Sequence, residues 1–440
     1  MAAYSIITQR VEGKDSKNPQ WHLDYPFNGQ NVEGVELTRD GLLFRGWILN
    51  EEKSLSSLVI LNGDEIIPIS INRPRPDVIS KVLKQEPKNH HLLCCGFSKR
   101  ITLKHSTFTL GLVHDGAFKE LMKGTVEGKF QILEGRGGWL FLDNDTNKSI
   151  EQYTGKLKLS RSAQTEWKEY LVSLDEFSNS SGIPVCLLVA PSKEMVYEEY
   201  YPYSFSKKAP IQKLKELIPV SLSFVLPVKE LKNLEQRSFR VCDTHWTLHG
   251  ARLAAQLVAS KLSSKSIDEF DVFVDDIYQN REVSGDLGSK LYPPQRHKED
   301  ILKNFNYRQC VVFDNNIENF GRVMVMFNQD ALFKETLLVF GSSSSYTMFH
   351  YLCRIYTGLV FVHTAGNIDH QIIDVVKPDF ICVQTNARFV VKAPKFNGSL
   401  IHYIEQKTER FKPPFFANFI PFSCARTVKY FTQILGSRAL

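Results

Sequence analysis

Four consecutive serines follow an apolar run in the last third of the chain. The segment Leu337-Leu-Val-Phe-Gly-Ser-Ser-Ser-Ser-Tyr346 has the pattern of a buried strand that breaks at Gly341 and then enters a helix. A strand-to-helix turn exposes a hydroxyl at the carboxyl end of the strand and directs the N–H groups of the first helical turn at the same point. We therefore expect a nucleophile and part of an oxyanion hole here. Serines are also common helix N-caps, so a purely structural role stays open.

A histidine and an aspartate that could activate such a serine lie about 100 residues earlier. In the segment Arg240-Val-Cys-Asp-Thr-His-Trp-Thr-Leu-His-Gly250, Asp243 and His245 are two positions apart, just before a predicted helix. A neighbouring carboxylate fixes the tautomer of the imidazole and stabilises the imidazolium, so the pair suits a general base. The structural alternative is a capping Asp243 beside a polar loop histidine.

Further side chains are placed to contact a substrate. Lys193 and Tyr197 follow a predicted strand, from which both could reach the cleft. The alternative is that Lys193 faces solvent and Tyr197 packs on a helix. Trp246 has a ring that could stack on a sugar or fill the core, whereas for Trp139 we favour the core. Arg388 follows a later predicted strand, where it could meet an anionic group of a substrate.

The elements around these residues indicate an α/β fold. Apolar runs of strand length occur at 183–190, 221–228, 336–340, 359–363 and 380–384. Amphipathic helical patterns at 160–178, 248–262 and 345–356 separate them. Alternation of this kind predicts a mainly parallel sheet with flanking helices, in which an active site lies at the carboxyl ends of the strands.

The N-terminal region has a different pattern. Short alternating runs between about residues 30 and 128 are separated by hairpin signals such as Asn-Gly-Asp and His-Asp-Gly. We therefore predict a small antiparallel β-sandwich domain at 1–128, followed by an α/β domain at 129–440. From about residue 411 a basic, aromatic tail follows, whose helical pattern fits docking on its own domain better than peripheral contact with an anionic membrane.

Composition and charge exclude several classes of protein. The net charge of +6 is small for 440 residues and is not concentrated in one block, so we expect no nucleic-acid partner. Eight cysteines lie mostly in apolar runs without a Cys-x-x-Cys pair, which indicates reduced thiols in a cytoplasmic protein. His90, His91 and Cys94 come nearest to zinc-ligand spacing, but a His-rich loop is the favoured interpretation and we expect no metal. The first residues lack a secretory signal pattern, and no apolar run is long enough to span a bilayer.

The order of several elements resembles the alginate O-acetyltransferase (AlgX/AlgJ-like) family, a branch of the SGNH hydrolase and acyltransferase superfamily. The matching elements occur in the family's order between about residues 129 and 390, and they are Gly135-Arg-Gly-Gly-Trp-Leu-Phe-Leu142, Ala190-Pro-Ser-Lys-Glu-Met-Val-Tyr197 with Tyr201-Pro202, Asp243-Thr-His-Trp246 with Gly250-Ala251, Gly285-Asp-Leu-Gly288, the serine turn after Gly341, and Lys377-Pro-Asp-Phe380 leading to Arg388. As in that family, the Asp-x-His pair precedes the serine in the sequence. The resemblance thus implies a permuted SGNH-like domain.

Carried onto this chain, the family's Gly-Asp-Ser-Phe motif falls on Gly341-Ser-Ser-Ser344. The resemblance then implies Ser343 as nucleophile, His245 as general base and Asp243 as the orienting carboxylate. Serines stand at the Asp and Phe positions of the motif, which leaves Ser342 and Ser344 open as alternative nucleophiles. Ala387 also replaces the glutamate that usually precedes the family's arginine.

The implied reaction is transfer of an acetyl group to a sugar hydroxyl through an acetyl-serine, with backbone N–H groups and Tyr346 near the oxyanion. With the location expected in the cytoplasm or at the inner face of the membrane, acetyl-coenzyme A is the natural donor, and no bound cofactor is expected. The acceptor would be an oligosaccharide or a capsular or other bacterial surface polysaccharide, and capsule-assembly enzymes would be partners. A carbohydrate esterase with the same triad and a catalytically silent glycan-binding protein are the alternatives.

Overall fold

The chain forms two compact units in a computed structural model that describes residues 3–11, 19–49, 56–128, 132–143, 145–270, 272–405 and 413–436. The first unit comprises residues 1–132 and 286–296, and the second comprises 133–285 and 297–440. The short stretch 286–296 therefore belongs with the N-terminal unit, although the sequence-based division placed it in the second domain.

The first unit consists of two antiparallel sheets. Its strands are β1 (Ala3–Arg10), β2 (Gln20–Tyr25), β3 (Gln30–Glu33), β4 (Leu42–Leu49), β5 (Ser56–Asn62), β6 (Glu65–Ile69), β7 (Ile71–Arg73), β8 (Gly96–Ile101), β9 (Thr107–His114) and β10 (Ala117–Gly128). One sheet has the order β3-β1-β10-β9-β5-β6 and the other β2-β4-β8-β7. Helix α1 (Gly34–Arg39) precedes β4, and α2 (Pro76–Val78) continues into a π-helical turn at Ile79–Leu83.

The two sheets share one hydrophobic core. Period-two alternation in β4 buries Leu42 and Phe44, which pack with Ile60 and Leu110 of the other sheet. The segment 286–296 is fixed to this unit by Tyr4, whose hydroxyl donates to the carbonyls of Ser289 (2.8 Å) and Leu291 (3.0 Å). No apolar periodicity in residues 286–296 predicts this contact.

The second unit is built around an eight-stranded sheet. Its strands are β13 (Val185–Ala190), β14 (Ser223–Val225), β17 (Val311–Asp314), β18 (Val323–Phe327), β19 (Phe333–Gly341), β20 (Tyr356–His363), β21 (Phe380–Asn386) and β22 (Phe415–Phe416). The short strands β11 (Ile132–Glu134), β12 (Leu140–Leu142), β15 (Tyr278–Val283) and β16 (His297–Leu302) lie outside it.

Helices of the second unit connect and cover these strands. They are α3 (Ser149–Tyr153), α4 (Arg161–Ser181), α5 (Lys193–Val196), α6 (Pro210–Leu217), α7 (Val228–Lys232), α8 (Leu248–Ser263), α9 (Gly285–Gly288, of which only Gly285 is in this unit), α10 (Ser345–Ile355), α11 (His370–Val376), α12 (Leu400–Glu405) and α13 (Phe422–Gly436). Single 3₁₀ turns lie at Arg136–Gly138, Glu198–Tyr200, Ile267–Phe270, Tyr307–Cys310 and Ala387–Phe389.

The strand order of the large sheet is β14-β13-β21-β19-β20-β18-β17-β22, and the sheet is mixed. The five strands from β14 to β20 pair in parallel, whereas β20 with β18, β18 with β17, and β17 with β22 pair antiparallel. The α/β class and the β-rich N-terminal region are as expected, but the parallel arrangement is limited to five of the eight strands. Apolar periodicity locates a strand in the sequence but does not show whether it runs parallel or antiparallel to its neighbour.

Two further sequence-based expectations concern the apolar run 221–228 and the C-terminal helix. The apolar run 221–228 forms only the short strand β14, because Pro227 ends it and α7 begins at Val228. The basic tail helix docks on its own unit, since Cys424, Val428, Phe431 and Leu435 of α13 are buried in the core of the large sheet. Within the described ranges, no helix is both long and apolar enough to cross a bilayer.

Candidate active site

Asp243 and His245 lie in a tight loop that its own backbone holds closed. The N–H of Arg240 donates to the carbonyl of His245 (3.2 Å), and the N–H of Thr247 donates to the carbonyl of Ser238 (2.8 Å). The Thr247 side chain then caps α8 by accepting from the N–H of Gly250. Loop and helix therefore form one support for the two side chains, and the helix cap is Thr247, not Asp243 as in the structural alternative.

The four serines lie where β19 ends and α10 begins. Gly341 is the last residue of β19, and a Cβ added there would clash with Ser345 Oγ, so glycine allows the turn to pack this closely. Strands β21 and β20 flank β19 in parallel, which places the turn at the carboxyl ends of three adjacent strands. This is the edge of a parallel sheet at which ligand sites form.

Ser343, His245 and Asp243 form a hydrogen-bonded chain. Ser343 Oγ lies 3.0 Å from Nε2 of His245, and Nδ1 of the same ring lies 2.7 Å from Oδ1 of Asp243. Because the ionised carboxylate only accepts, Nδ1 carries the proton and Nε2 is left to accept from the serine. The arrangement can deprotonate Ser343 as it attacks a carbonyl carbon.

Asp243 is held in its charged form. It is 6% exposed, and although burial opposes ionisation, the hydrogen bond from His245 and the positive charges of His245 and Arg240 hold the pKa of its carboxyl well below its usual range. Oδ1 also accepts from the backbone N–H of His245 (2.8 Å). A fixed negative charge therefore faces the imidazole at neutral pH.

The neighbouring serines are occupied by other partners. Ser342 Oγ donates to Oε1 of Gln384 (2.9 Å), as does Ser345 Oγ (3.0 Å), whereas Ser344 Oγ donates to Oδ1 of Asn386 (2.9 Å). Only Ser343 among the four hydroxyls is hydrogen-bonded to the His245 ring in the described structure. The geometry thus favours Ser343 over the alternative nucleophiles Ser342 and Ser344.

Gln384 and Asn386 were missed by the sequence reasoning. Gln384 is fully buried, accepts from the Ser342 N–H (2.7 Å) as well as from two hydroxyls, and donates to Asn386 Oδ1 (3.0 Å). Ser342, at the position of the family's aspartate, is thereby held in place by an amide from β21. A glutamine at the end of the apolar run 380–384 was the available signal, because a polar side chain buried in a strand needs a partner.

Trp246 contributes to the support of the site from within the core. It is 1% exposed, which leaves no ring face for a sugar, and its Nε1–H donates to the carbonyl of Ser344 (2.8 Å). This hydrogen bond joins the Asp243–His245 loop to the serine turn. Trp139 is also in the core, as expected.

Lys193 is not a surface contact for substrate. It is 3% exposed, and Nζ donates to the carbonyls of Arg240 (3.1 Å), Val241 (3.0 Å) and Asp243 (2.8 Å). Lys193 neither reaches the cleft nor faces solvent, because a buried ammonium needs hydrogen-bond acceptors and the loop offers three carbonyls. Lys193 therefore positions the loop that carries Asp243.

Tyr197 likewise packs inside the unit. Its ring lies 4.6 Å from that of Trp139, and its hydroxyl accepts from the backbone N–H of Ser238 (2.8 Å). The packing interpretation thus holds for Tyr197. Arg388 faces Asp145, with 3.5 Å between Nη1 and Oδ2, and its guanidinium lies over the ring of Phe389.

Tyr346 is the second residue of α10, and its side chain contacts groups other than the triad. Its hydroxyl is 3.1 Å from Nδ1 of His363, and the guanidinium of Arg322 lies over its ring. Burial raises the pKa of Tyr346 to about 12, against the lowering effect of Arg322, so the phenol is neutral and can donate. Arg322 is in turn paired with Asp314 at 2.6 Å.

Comparison with known proteins supports the resemblance seen in the sequence. Residues 132–308 match the family model described as the SGNH hydrolase-like domain, acetyltransferase AlgX. No curated protein sequence matches this chain.

Several solved structures are similar to this one. PatB1 from Bacillus cereus, solved with a sulfonyl adduct, is 11% identical, with a TM-score of 0.45 over 62% of this chain and 99% of that one. The O-acetyltransferase domain of Pseudomonas putida AlgJ is 15% identical, with a TM-score of 0.37 over 70% and 99% of the two chains. Pseudomonas aeruginosa AlgX is 13% identical, with a TM-score of 0.35 over 60% and 63%.

The matched range includes the Asp243–His245 loop and ends before the serine turn, which the geometry alone adds to it. Residues 132–308 of this chain are therefore similar to the SGNH hydrolase-like domain of AlgX-type acetyltransferases.

Proposed function

We propose that this protein is an SGNH-type O-acetyltransferase that modifies a sugar hydroxyl of a bacterial surface or capsular polysaccharide. The observation that carries the proposal is the hydrogen-bonded chain from Ser343 Oγ through His245 to Asp243. The match of residues 132–308 to an acetyltransferase family model supports this reaction class.

In the first half-reaction Ser343 Oγ attacks the carbonyl carbon of the acetyl donor while Nε2 of His245 takes the hydroxyl proton. Asp243 stabilises the imidazolium that results. The tetrahedral intermediate collapses with loss of the donor's leaving group, to which His245 returns the proton, and an acetyl ester on Ser343 remains.

In the second half-reaction the sugar hydroxyl takes the place of the serine. His245, again neutral, accepts the proton of that hydroxyl as its oxygen attacks the acetyl-serine carbonyl. The ester bond to Ser343 breaks, its oxygen regains a proton from His245, and the acetylated sugar leaves. Both steps pass through an oxyanion, and the proposal assigns its stabilisation to backbone N–H groups near Ser343.

The two alternatives differ in what the structure offers them. An esterase would use the same triad with water as acceptor, so the choice between transferase and esterase depends on the acceptor that the acetyl-enzyme meets. A silent glycan-binding protein would have no need of a serine hydrogen-bonded to His245, and the 3.0 Å distance weighs against it.

The proposal also includes three predictions. The acetyl donor is acetyl-coenzyme A, the site of action is the cytoplasm, and the partners are capsule-assembly enzymes. Because the tail helix buries its apolar face in its own unit, we do not propose this face as the contact with a membrane.

The test is to treat the purified protein with a sulfonyl fluoride and with radiolabelled acetyl-coenzyme A, and to map the modified residue by mass spectrometry. Turnover of 4-nitrophenyl acetate is followed in parallel. Ser343→Ala should lose the label and reduce kcat by at least about a thousandfold, since nucleophile removal leaves only binding and oxyanion stabilisation.

Ser342→Ala and Ser344→Ala are the matched controls, because each removes one hydroxyl from the same turn. Both should keep the label on Ser343. Label on another serine, or equal turnover by wild type and Ser343→Ala, would refute the assignment of the nucleophile. Transfer of label to oligosaccharides, compared with release of free acetate, then separates a transferase from an esterase.

A further inference from the structure

A cleft of about 880 Å³ opens beside the serine turn in the second unit. Ala365 and Asn367, which follow β20, line one part of it, and Thr385 and Phe389, at the end of β21 and just after it, line another. The serine turn follows β19, which lies between these two strands. The cleft therefore shares the carboxyl edge of the parallel strands with Ser343.

Short contacts join the cleft to the catalytic turn. The N–H of Ala365 donates to the carbonyl of Gly341 (2.7 Å), two residues before Ser343. Thr385 precedes Asn386, whose Oδ1 accepts from Ser344. Residues that line the cleft are thus linked through the backbone to the turn that carries Ser343.

The lining of the cleft is basic and aromatic. Lys392 and Lys395 are exposed at its wall, together with His402, and none of the described lining residues is Asp or Glu. The rings of Phe320 and Tyr403, 5.5 Å apart, form a further part of the wall. Lysine ammonium groups bind phosphate oxygens as point charges, and aromatic rings stack on nucleobases.

We infer that this cleft binds the acyl donor, a coenzyme A thioester, with its phosphate groups at Lys392 and Lys395 and its thioester directed at Ser343. The inference rests on the proposed function, since it assigns the donor site of that reaction. An acetyl group alone offers two carbons to recognise, so the selectivity for a donor must come from the carrier. A cleft of this volume lies within the range of sites for one small molecule.

The test uses the full chain and a double variant, Lys392→Ala with Lys395→Ala. Lys207→Ala with Lys208→Ala is the matched control, because it removes two exposed lysines of the same unit outside the cleft. Binding of free coenzyme A is measured by calorimetry, and turnover is measured with acetyl-coenzyme A, with S-acetyl-N-acetylcysteamine, which lacks phosphates, and with 4-nitrophenyl acetate.

We expect the cleft variant to weaken coenzyme A binding and to raise the KM for acetyl-coenzyme A by about tenfold, as for one to two partly exposed charge contacts. Turnover of the two phosphate-free esters should stay unchanged in both variants. The control should behave as wild type with every substrate.

The inference is overturned if wild type does not bind coenzyme A, or if the cleft variant binds it as well as wild type does. It is also overturned if the variant loses affinity for an acidic oligosaccharide, such as trigalacturonate, and keeps its affinity for coenzyme A, because the cleft would then hold an acceptor. Failure of the proposed function is separate, since it appears as Ser343-independent turnover of 4-nitrophenyl acetate.

Discussion

Replacing Lys193 by methionine removes a buried charge without leaving a cavity. The two side chains have similar length, and the methionine can lie along the rings of Trp139 and Phe141 that now face the ammonium. What is lost is the set of hydrogen bonds from Nζ to the carbonyls of Arg240, Val241 and Asp243. Lys193→Met therefore tests whether this lysine holds the catalytic loop.

The expected loss in the free energy of unfolding depends on which hydrogen bonds each of the three carbonyls retains in the variant. The carbonyl of Val241 also accepts from the N–H of Leu140 and stays satisfied, whereas those of Arg240 and Asp243 lose their ammonium partner. Loss of the ammonium hydrogen bond costs about 1–3 kcal/mol at each of these two carbonyls, of which that of Arg240 is part-buried and that of Asp243 is buried. Relief from the burial of an ammonium offsets part of this. We expect the free energy of unfolding to fall by about 2–4 kcal/mol.

The catalytic effect should exceed what the loss of stability alone causes. A loop displaced by about 1 Å at Asp243 would misdirect His245, which lowers kcat by about a hundredfold. Unfolding in urea gives the stability, and turnover of 4-nitrophenyl acetate well below the unfolding midpoint gives kcat and KM. A positioning role predicts a lower kcat at nearly constant KM, together with a changed pH profile of kcat/KM.

Lys158→Met serves as the control, since that lysine is exposed on the same unit. It should change the free energy of unfolding by less than about 0.5 kcal/mol, as surface substitutions do. If Lys193→Met matched this control in both stability and kcat, the lysine would have no part in holding the loop. A loss of stability with unchanged kcat in the folded fraction would reduce its role to packing.

Three further predictions concern the same loop and turn. Asp243→Asn should lower kcat by about ten-thousandfold, by analogy with the serine-protease triad. Because the native pKa of the Asp243 carboxyl is depressed, the ionised carboxylate stabilises the fold above the ordinary Asp pKa near 4, and this contribution is lost as pH falls. The free energies of unfolding of wild type and variant in urea should therefore converge towards acid pH. Gly285→Ala should lower both kcat and the melting temperature, because Gly285 has φ +63° and an added Cβ would lie 2.5 Å from the Cys242 carbonyl and 2.6 Å from the Asp243 side chain. An unchanged kcat would contradict the placement of this turn beside the Asp243 loop. Gln384→Leu should cost about 2–4 kcal/mol in urea unfolding, because the Ser342 N–H loses its buried acceptor; a neutral result would mean that water replaces the amide.

The residues of the candidate site were recognisable from local sequence. Asp243 and His245 two positions apart before a helix, and serines after an apolar strand, are patterns whose physical causes act over a few residues. Apolar periodicity likewise located most strands and helices, because burial of one face follows directly from the spacing of side chains. The sequence also predicted that α13 docks through its apolar face.

Other features were decided by contacts between distant segments. The local pattern of Lys193 fits an exposed lysine, and only the approach of the Asp243 loop, about 50 residues later, supplies the carbonyls that make its burial tolerable. The choice among Ser342, Ser343 and Ser344 also depends on the tertiary structure, because the Gln384 and Asn386 amides from β21 occupy two of the three hydroxyls. Residue type and spacing determine which groups can react, but hydrogen bonds to partners far along the chain determine which of them is left facing the histidine.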